Sequence, residues 1–143
     1  MIRQMEAGDL ARCGVIYASA FPAEHWGIDW TPETATAYLE DYFGQKRFVG
    51  YVYEESGEVV GCILALRRIS GSREELHICE MAVAPECQGC GVGTQLLGAV
   101  KKYSRDHGLA GMVLYTSVHA PAAAFYARHG FQVSEGTICM FCQ

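Results

Sequence analysis

The chain has 143 residues, half of them hydrophobic, with 11 Lys and Arg against 16 Asp and Glu for a formal net charge of -5. This size suits one domain over 1–143 with one sizeable core, and the acidic balance argues against nonspecific nucleic-acid binding, which needs clustered basic residues. No apolar run nears the roughly 20 residues that span a bilayer, and MIRQMEAGDL lacks the basic and apolar regions of a secretory leader; with an odd count of seven cysteines, a soluble cytoplasmic protein with reduced thiols is expected.

In chain order, MIRQM predicts a short strand, and Gly8-Asp9 an N-cap for a helix with Leu10, Cys13, Val15, Ile16 and Ala20 on its apolar side, ended by Phe21-Pro22. Residues 21–30, FPAEHWGIDW, read as a loop. Thr31-Pro32-Glu33 signals a second helix that runs to about Phe43 and stops at Gly44. RFVGYVYEE and EVVGCILALRRI, joined by Ser56-Gly57, pattern as a hairpin, and the mostly apolar ELHICEMAV as a central strand.

A helix over 92–107 follows, apolar at 92, 96, 97, 100 and 103 and capped by Gly108, then a strand, GMVLYTSV. His119-Ala120-Pro121 opens a short Ala-rich helix through Arg128, Gly130 stops it, and FQV and TICMFC are expected as two closing strands. The alternation indicates an α/β (α+β) sandwich with a mixed sheet, helices on its faces and chemistry at strand ends.

The stretch CQGCGVG, residues 87–93, allows three chemistries. A buried strand, a short loop and a glycine-rich turn opening a long helix present free N–H groups and the positive end of a helix dipole, which is an anion site. A dinucleotide fingerprint fails at Thr94, and no lysine follows to make a P-loop. Cys87 and Cys90 with Cys139 and Cys142 offer four thiolates for zinc, but a strand through TICMFC points Cys139 and Cys142 to opposite faces. A redox CxxC would suit Cys90 near a helix start, yet nothing else resembles a thioredoxin unit. No metal is expected.

ICEMAVAPECQGCGVGTQLL resembles the acyl-CoA-binding segment of the GNAT superfamily of N-acetyltransferases, in its strand to Val83, its Pro85, and its Gln88-x-x-Gly91-x-Gly93 before an amphipathic helix. AAAFYARHGF is similar to the family's alanine-rich helix with a tyrosine and a Gly-Phe turn. The resemblance covers nearly the whole chain apart from residues 21–45. It implies a mixed, mostly antiparallel central sheet flanked by helices. It also implies acetyl-CoA as donor, with pyrophosphate on Gln88, Gly89, Cys90, Gly91, Val92, Gly93 and Thr94, the pantetheine arm along Met81, Ala82 and Val83, and His119 and Phe125 beside the donor. His119 departs from the Asn that many members carry, and Leu114 from a Glu that some carry.

An alkylamine with a pKa of roughly 10.4 must lose a proton before it attacks a thioester, and the thiolate that leaves benefits from an acid. The resemblance makes Tyr126 the acid. Glu80 is the candidate base, because a carboxylate within the apolar run ICEMAV is costly to bury without a partner or a task; His77, three residues earlier and expected on the opposite face, is the alternative. An acyl-cysteine route through Cys79 or Cys90 has no His placed for it by spacing, so direct transfer in a ternary complex is expected.

Residues 21–43 bring Phe21, Trp26, Trp30, Tyr38 and Tyr42 together with Glu24, Asp29, Glu33, Glu40 and Asp41. Aromatic walls and acids suit a cationic amine, so Trp26, Trp30, Glu24 and Asp29 are the expected acceptor contacts. The reading is an N-acetyltransferase acting on a small cationic amine, with no nucleic-acid or membrane partner and with a homodimer left open. The alternatives are acetylation of a protein lysine or N-terminus, a CoA-binding protein without catalysis, and a zinc-stabilised CxxC interaction module.

Overall fold

A computed structural model describes all residues, 1–143. One sheet runs in the order β1 (Ile2–Gln4), β2 (Phe48–Glu55), β3 (Glu58–Ser70), β4 (Arg73–Val83), β5 (Met112–Leu114), antiparallel throughout except for the parallel pair β4 and β5. Helices α1 (Leu10–Ala20) and α3 (Pro32–Phe43) pack on one another and on one face of the sheet, and α4 (Val92–Asp106) covers the other. No helix is long and apolar enough to cross a membrane.

Each helix forms for a local reason. On α4, Val92, Leu96, Leu97 and Val100 recur on one face and are buried, each such side chain contributing roughly 1.5–3 kcal/mol. The α3 start is a reciprocal cap, with Thr34 N–H donating to Thr31 Oγ1 at 3.1 Å and Thr31 N–H to Thr34 Oγ1 at 2.9 Å. Asp9 does not cap α1. Its carboxylate accepts from the Glu6 amide at 2.8 Å and from both terminal nitrogens of Arg3, each at 2.8 Å, tying β1 to the turn before α1.

The hairpin of β2 and β3 turns at Ser56-Gly57, where φ is 51° and 79°. In β4 the register carries one extra residue: Leu64 pairs with Glu80 but Ala65 pairs with Ile78, so Cys79 is a bulge. Leu66 pairs with His77. Leu64 and Leu66 share a face of β3, so Glu80 and His77 share the face covered by α1 and α3. That corrects the expectation of opposite faces, which holds only for an unbulged strand.

Other differences follow from missing partners. GMVLYTSV is a strand only over Met112–Leu114, and the expected loop at 21–30 holds α2 (Ala23–Trp26), closed by Gly27 at φ 72°. Val15 is 39% exposed, and Gly14 and Tyr17 take its place in the α1 core stripe. Neither FQV nor TICMFC forms a strand. Alternation makes a strand only where a neighbouring ladder satisfies its backbone and covers one face, and Val133, Ile138, Met140 and Phe141 are 77–89% exposed.

Gly14 sets the separation of α1 and α3, since a Cβ there would lie 2.9 Å from both Pro32 O and Thr36 N. Gly14→Ala should destabilise the fold by about 1–3 kcal/mol in urea titrations, because helix backbone cannot yield as a side chain does. Gly98→Ala, on the exposed side of α4 with nothing within 4 Å, should instead be neutral or stabilising by up to about 1 kcal/mol.

Candidate active site

Strands β4 and β5 pair only through Leu76, His77 and Ile78 with Met112, Val113 and Leu114, and then part. Beyond Ile78 the β5-side edge of β4 has no strand partner, which leaves backbone groups of residues 79–83 for a ligand. A cleft of about 1050 Å³ opens there, walled by Met81, Ala82 and Val83, by the loop Gln88, Gly89, Gly91, Val92, Gly93 and Thr94, and by His119 and Phe125. A second hollow of about 520 Å³, between α4 and the β1 edge, contains none of these groups.

The loop is shaped for close backbone approach. Gly89 and Gly91 have φ of 76° and 87°, a region side chains avoid, and no side chain caps the first turn of α4, so its amides face outward. Gln88 Nε2 donates to Val83 O at 3.1 Å and closes the turn from β4. Cys90 is exposed outside the cleft wall. The Phe125 ring, from α5 (Pro121–Arg128), lies against Gly93 and lines the cleft. This free strand edge and uncapped amide loop together offer backbone partners to an extended ligand that carries an anionic group.

Glu80 is not itself in the cleft lining; it precedes Met81, which is, and stands half-buried on the α1 and α3 side. Tyr38 Oη donates to Glu80 Oε1 at 2.6 Å, Tyr38 and Tyr42 hydroxyls are 3.0 Å apart, and the Tyr17 hydroxyl faces the carboxylate from α1. Burial pushes the carboxyl above the ordinary 4.5, and the tyrosine hydroxyls oppose that rise. Tyr126 is buried, its ring edge-on to Phe125 and Phe131 at 5.3 and 5.5 Å, and its hydroxyl makes no hydrogen bond within the chain. Burial and then the Glu80 charge push its phenol up to about 12. The Glu80 charge therefore reaches Tyr126, which keeps its proton at neutral pH.

His77 is held apart from them, with Arg68 3.2 Å from its Nδ1 and Glu75 3.5 Å from its Nε2; burial and Arg68 lower its pKa. Of the expected acceptor contacts, Trp26 lines the cleft. Trp30 packs on Tyr17 and Tyr38 at 5.2 and 4.9 Å, and Glu24 and Asp29 are exposed outside the cleft lining. Burial, then the Glu80 charge, pushes the Cys79 thiol up to about 11, away from thiolate chemistry. No three His, Cys, Asp or Glu side chains converge on a metal position, so the two CxxC pairs do not assemble one four-thiolate set.

Sequence reasoning missed His25 and Arg128 in the cleft wall and Tyr17 beside Glu80. Tyr17 had a signal, being a polar-tipped residue on the buried stripe of α1. The family model for the acetyltransferase (GNAT) family matches residues 14–131. The chain belongs to that family. It is 30% identical over 107 residues to the probable N-acetyltransferase 14 of Xenopus tropicalis, covering 74% of this chain and 50% of that protein; the chain spans about half the length of the curated relatives it matches. In fold it is similar to a crystal structure of a probable acetyltransferase, with a TM-score of 0.81 at 21% identity, covering 100% of this chain and 97% of that one. It is also similar to the aminoglycoside N-acetyltransferase AAC(6')-Iy in complex with CoA, with a TM-score of 0.76 at 19% identity over 100% and 93% of the two chains.

The raised Glu80 carboxyl has a stability consequence. Between its ordinary value of 4.5 and its higher folded value, the folded chain holds a proton that the unfolded chain has lost, so stability falls as pH rises through that window. Glu80→Gln removes the loss. Calorimetry should show its melting temperature gaining on wild type from acid to mildly alkaline pH; a constant difference would count against a raised carboxyl.

Proposed function

We propose that the protein transfers an acetyl group from acetyl-CoA to a primary amine of a small cationic molecule, by direct attack in a ternary complex. The observation that carries this reading is the presence of Glu80, within a cluster of tyrosine hydroxyls, and of a protonated Tyr126 that feels its charge, where β4 loses its partner. Glu80 accepts a proton from the ammonium, which frees the nitrogen lone pair to attack the thioester carbonyl. Tyr126 Oη–H supplies a proton to the sulfur as the carbon–sulfur bond breaks, and its unoccupied hydroxyl leaves that donation open. The phenolate regains a proton from the nitrogen, which loses its second one on becoming the amide. The loop amides of residues 88–94 hold the donor's pyrophosphate.

A carboxylate among Tyr17, Tyr38 and Trp30 favours a cation, through ion pairing and aromatic faces. The likeness to an aminoglycoside N-acetyltransferase supports a small-molecule acceptor. One core cluster drawn from residues 5–126 supports the single-domain reading.

CoA release from acetyl-CoA, followed with spermidine, tyramine, sisomicin and a lysine peptide, tests the acceptor class. The small amines should turn over and the peptide should not; the reverse order would move the reading to protein acetylation. With the best amine, Tyr126→Phe and Glu80→Gln should each lower kcat by roughly 10²-fold or more, and two variants at wild-type rates would remove both roles.

A further inference from the structure

Glu80 has no cationic partner. The titratable groups that feel its charge are Tyr17 on α1, Tyr38 and Tyr42 on α3, Cys62 on β3, Cys79 on β4 and Tyr126 on α5, all neutral when protonated. A base that has taken a proton in such a place needs a route by which to lose it before the next turnover. The hydrogen bonds supply one. Tyr38 spends its single proton on Glu80 Oε1 at 2.6 Å, so across the 3.0 Å contact Tyr42 must donate to Tyr38. The hydroxyls are thus aligned in one direction, Tyr42 to Tyr38 to Glu80. Tyr38 and Tyr42 stand one turn apart on α3, where i and i+4 side chains meet, and Tyr42 is partly exposed.

We propose that Tyr38 and Tyr42 form the proton exit path of Glu80, two positioning residues that reset the base between turnovers; this rests on the reading of Glu80 as the base. Once Glu80 is protonated, the two hydroxyls turn to point outward, Glu80 to Tyr38 to Tyr42; Glu80 then gives its proton to Tyr38 Oη as Tyr38 gives its own to Tyr42 Oη, and Tyr42 releases one to water. One O–H bond breaks and one forms at each phenol, so each ends with one proton, the carboxylate is regenerated, and the net movement is one proton from Glu80 to solvent. That transfer leaves the hydroxyls in the inward alignment, Tyr42 to Tyr38 to Glu80, that the structure shows. Neither phenol needs to ionise, which matters because burial raises both above an ordinary tyrosine, Tyr38 further through its bond to Glu80.

The test is steady-state CoA release with acetyl-CoA and the fastest amine of the panel above, in wild type, Tyr42→Phe, Tyr38→Phe and Glu80→Gln. Tyr42→Phe keeps the Tyr38 bond to Glu80 and breaks only the exit. It should lower kcat about tenfold with KM unchanged, enlarge the solvent deuterium effect on kcat, and be rescued by added imidazole as a proton carrier. Tyr38→Phe should show the same loss and also move the acidic limb of kcat/KM to higher pH, because the bond it removes lowers the carboxyl. If Tyr42→Phe keeps the wild-type kcat and isotope effect while Glu80→Gln is slow, the exit path is overturned and the base stands. A slow Tyr42→Phe that neither imidazole nor isotope substitution affects would mark a structural role and also overturn it. If Glu80→Gln itself is fast, the base falls and the path with it.

Discussion

One extra residue in β4 sets the arrangement of the site. Without the bulge at Cys79, residue 80 would share a face with Ile78, which lies opposite Ala65 on the α4 side of the sheet. A carboxylate there would enter the layer of Leu96, Leu97 and Val100, all fully buried, at a desolvation cost no partner offsets. The bulge turns Glu80 to the α1 and α3 side, where phenolic hydroxyls meet it. It also lies where β4 and β5 part, just past the pairing of Ile78 with Leu114. A bulge bends its strand and ends regular pairing, so the same residue aims the carboxylate and frees the strand edge beside it.

The electrostatics follow from that placement. Glu80 is pulled two ways, raised by burial and lowered by the Tyr38 and Tyr17 hydroxyls, and burial wins. Burial, and after it Glu80, raises the acidic protons nearby, so Tyr17, Tyr38, Tyr126 and Cys79 stay protonated at neutral pH. The cluster therefore holds one negative charge surrounded by neutral donors. Two titratable groups pushed in the same direction remain well separated, because they start from carboxyl and phenol values several units apart. The carboxyl can accept a proton under conditions where Tyr126 still has one to give.

Much of this was legible in the sequence, and the gaps have physical causes. The α4 stripe, the turn at Ser56-Gly57 and the glycine loop are local patterns, and they stand in the structure where the periodicity put them. The run ICEMAV marked Glu80 as anomalous, and the anomaly proved to have hydroxyl partners. The bulge has no local signal in ELHICEMAV, because it is a property of the pairing between β3 and β4; hence the parity error over His77. Tyr17 and Tyr38 look like core residues on their helices, and only the packing of α1 on α3 turns their hydroxyls to one carboxylate. At the other end of the chain, TICMFC has strand-like alternation without a ladder to join. Propensity there describes a side chain's suitability for a sheet and says nothing about whether an edge is offered.

Charge divides the same way. The acids that drew attention between residues 21 and 43, Glu24, Asp29, Glu33, Glu40 and Asp41, are all exposed, where water and salt screen them within about 10 Å. Glu80 is the one carboxylate among the tyrosines. On the reading of a cationic acceptor, the two sets do different work. The surface acids, in a chain of net charge -5, attract cations of many shapes and raise the rate of encounter without choosing among them. Selection falls to the half-buried Glu80, where a single carboxylate with its hydroxyls already placed satisfies one ammonium, and where a second charge on the acceptor must reach outward to solvent. That geometry favours an amine presented at the end of an apolar or aromatic stem over one flanked closely by other charges.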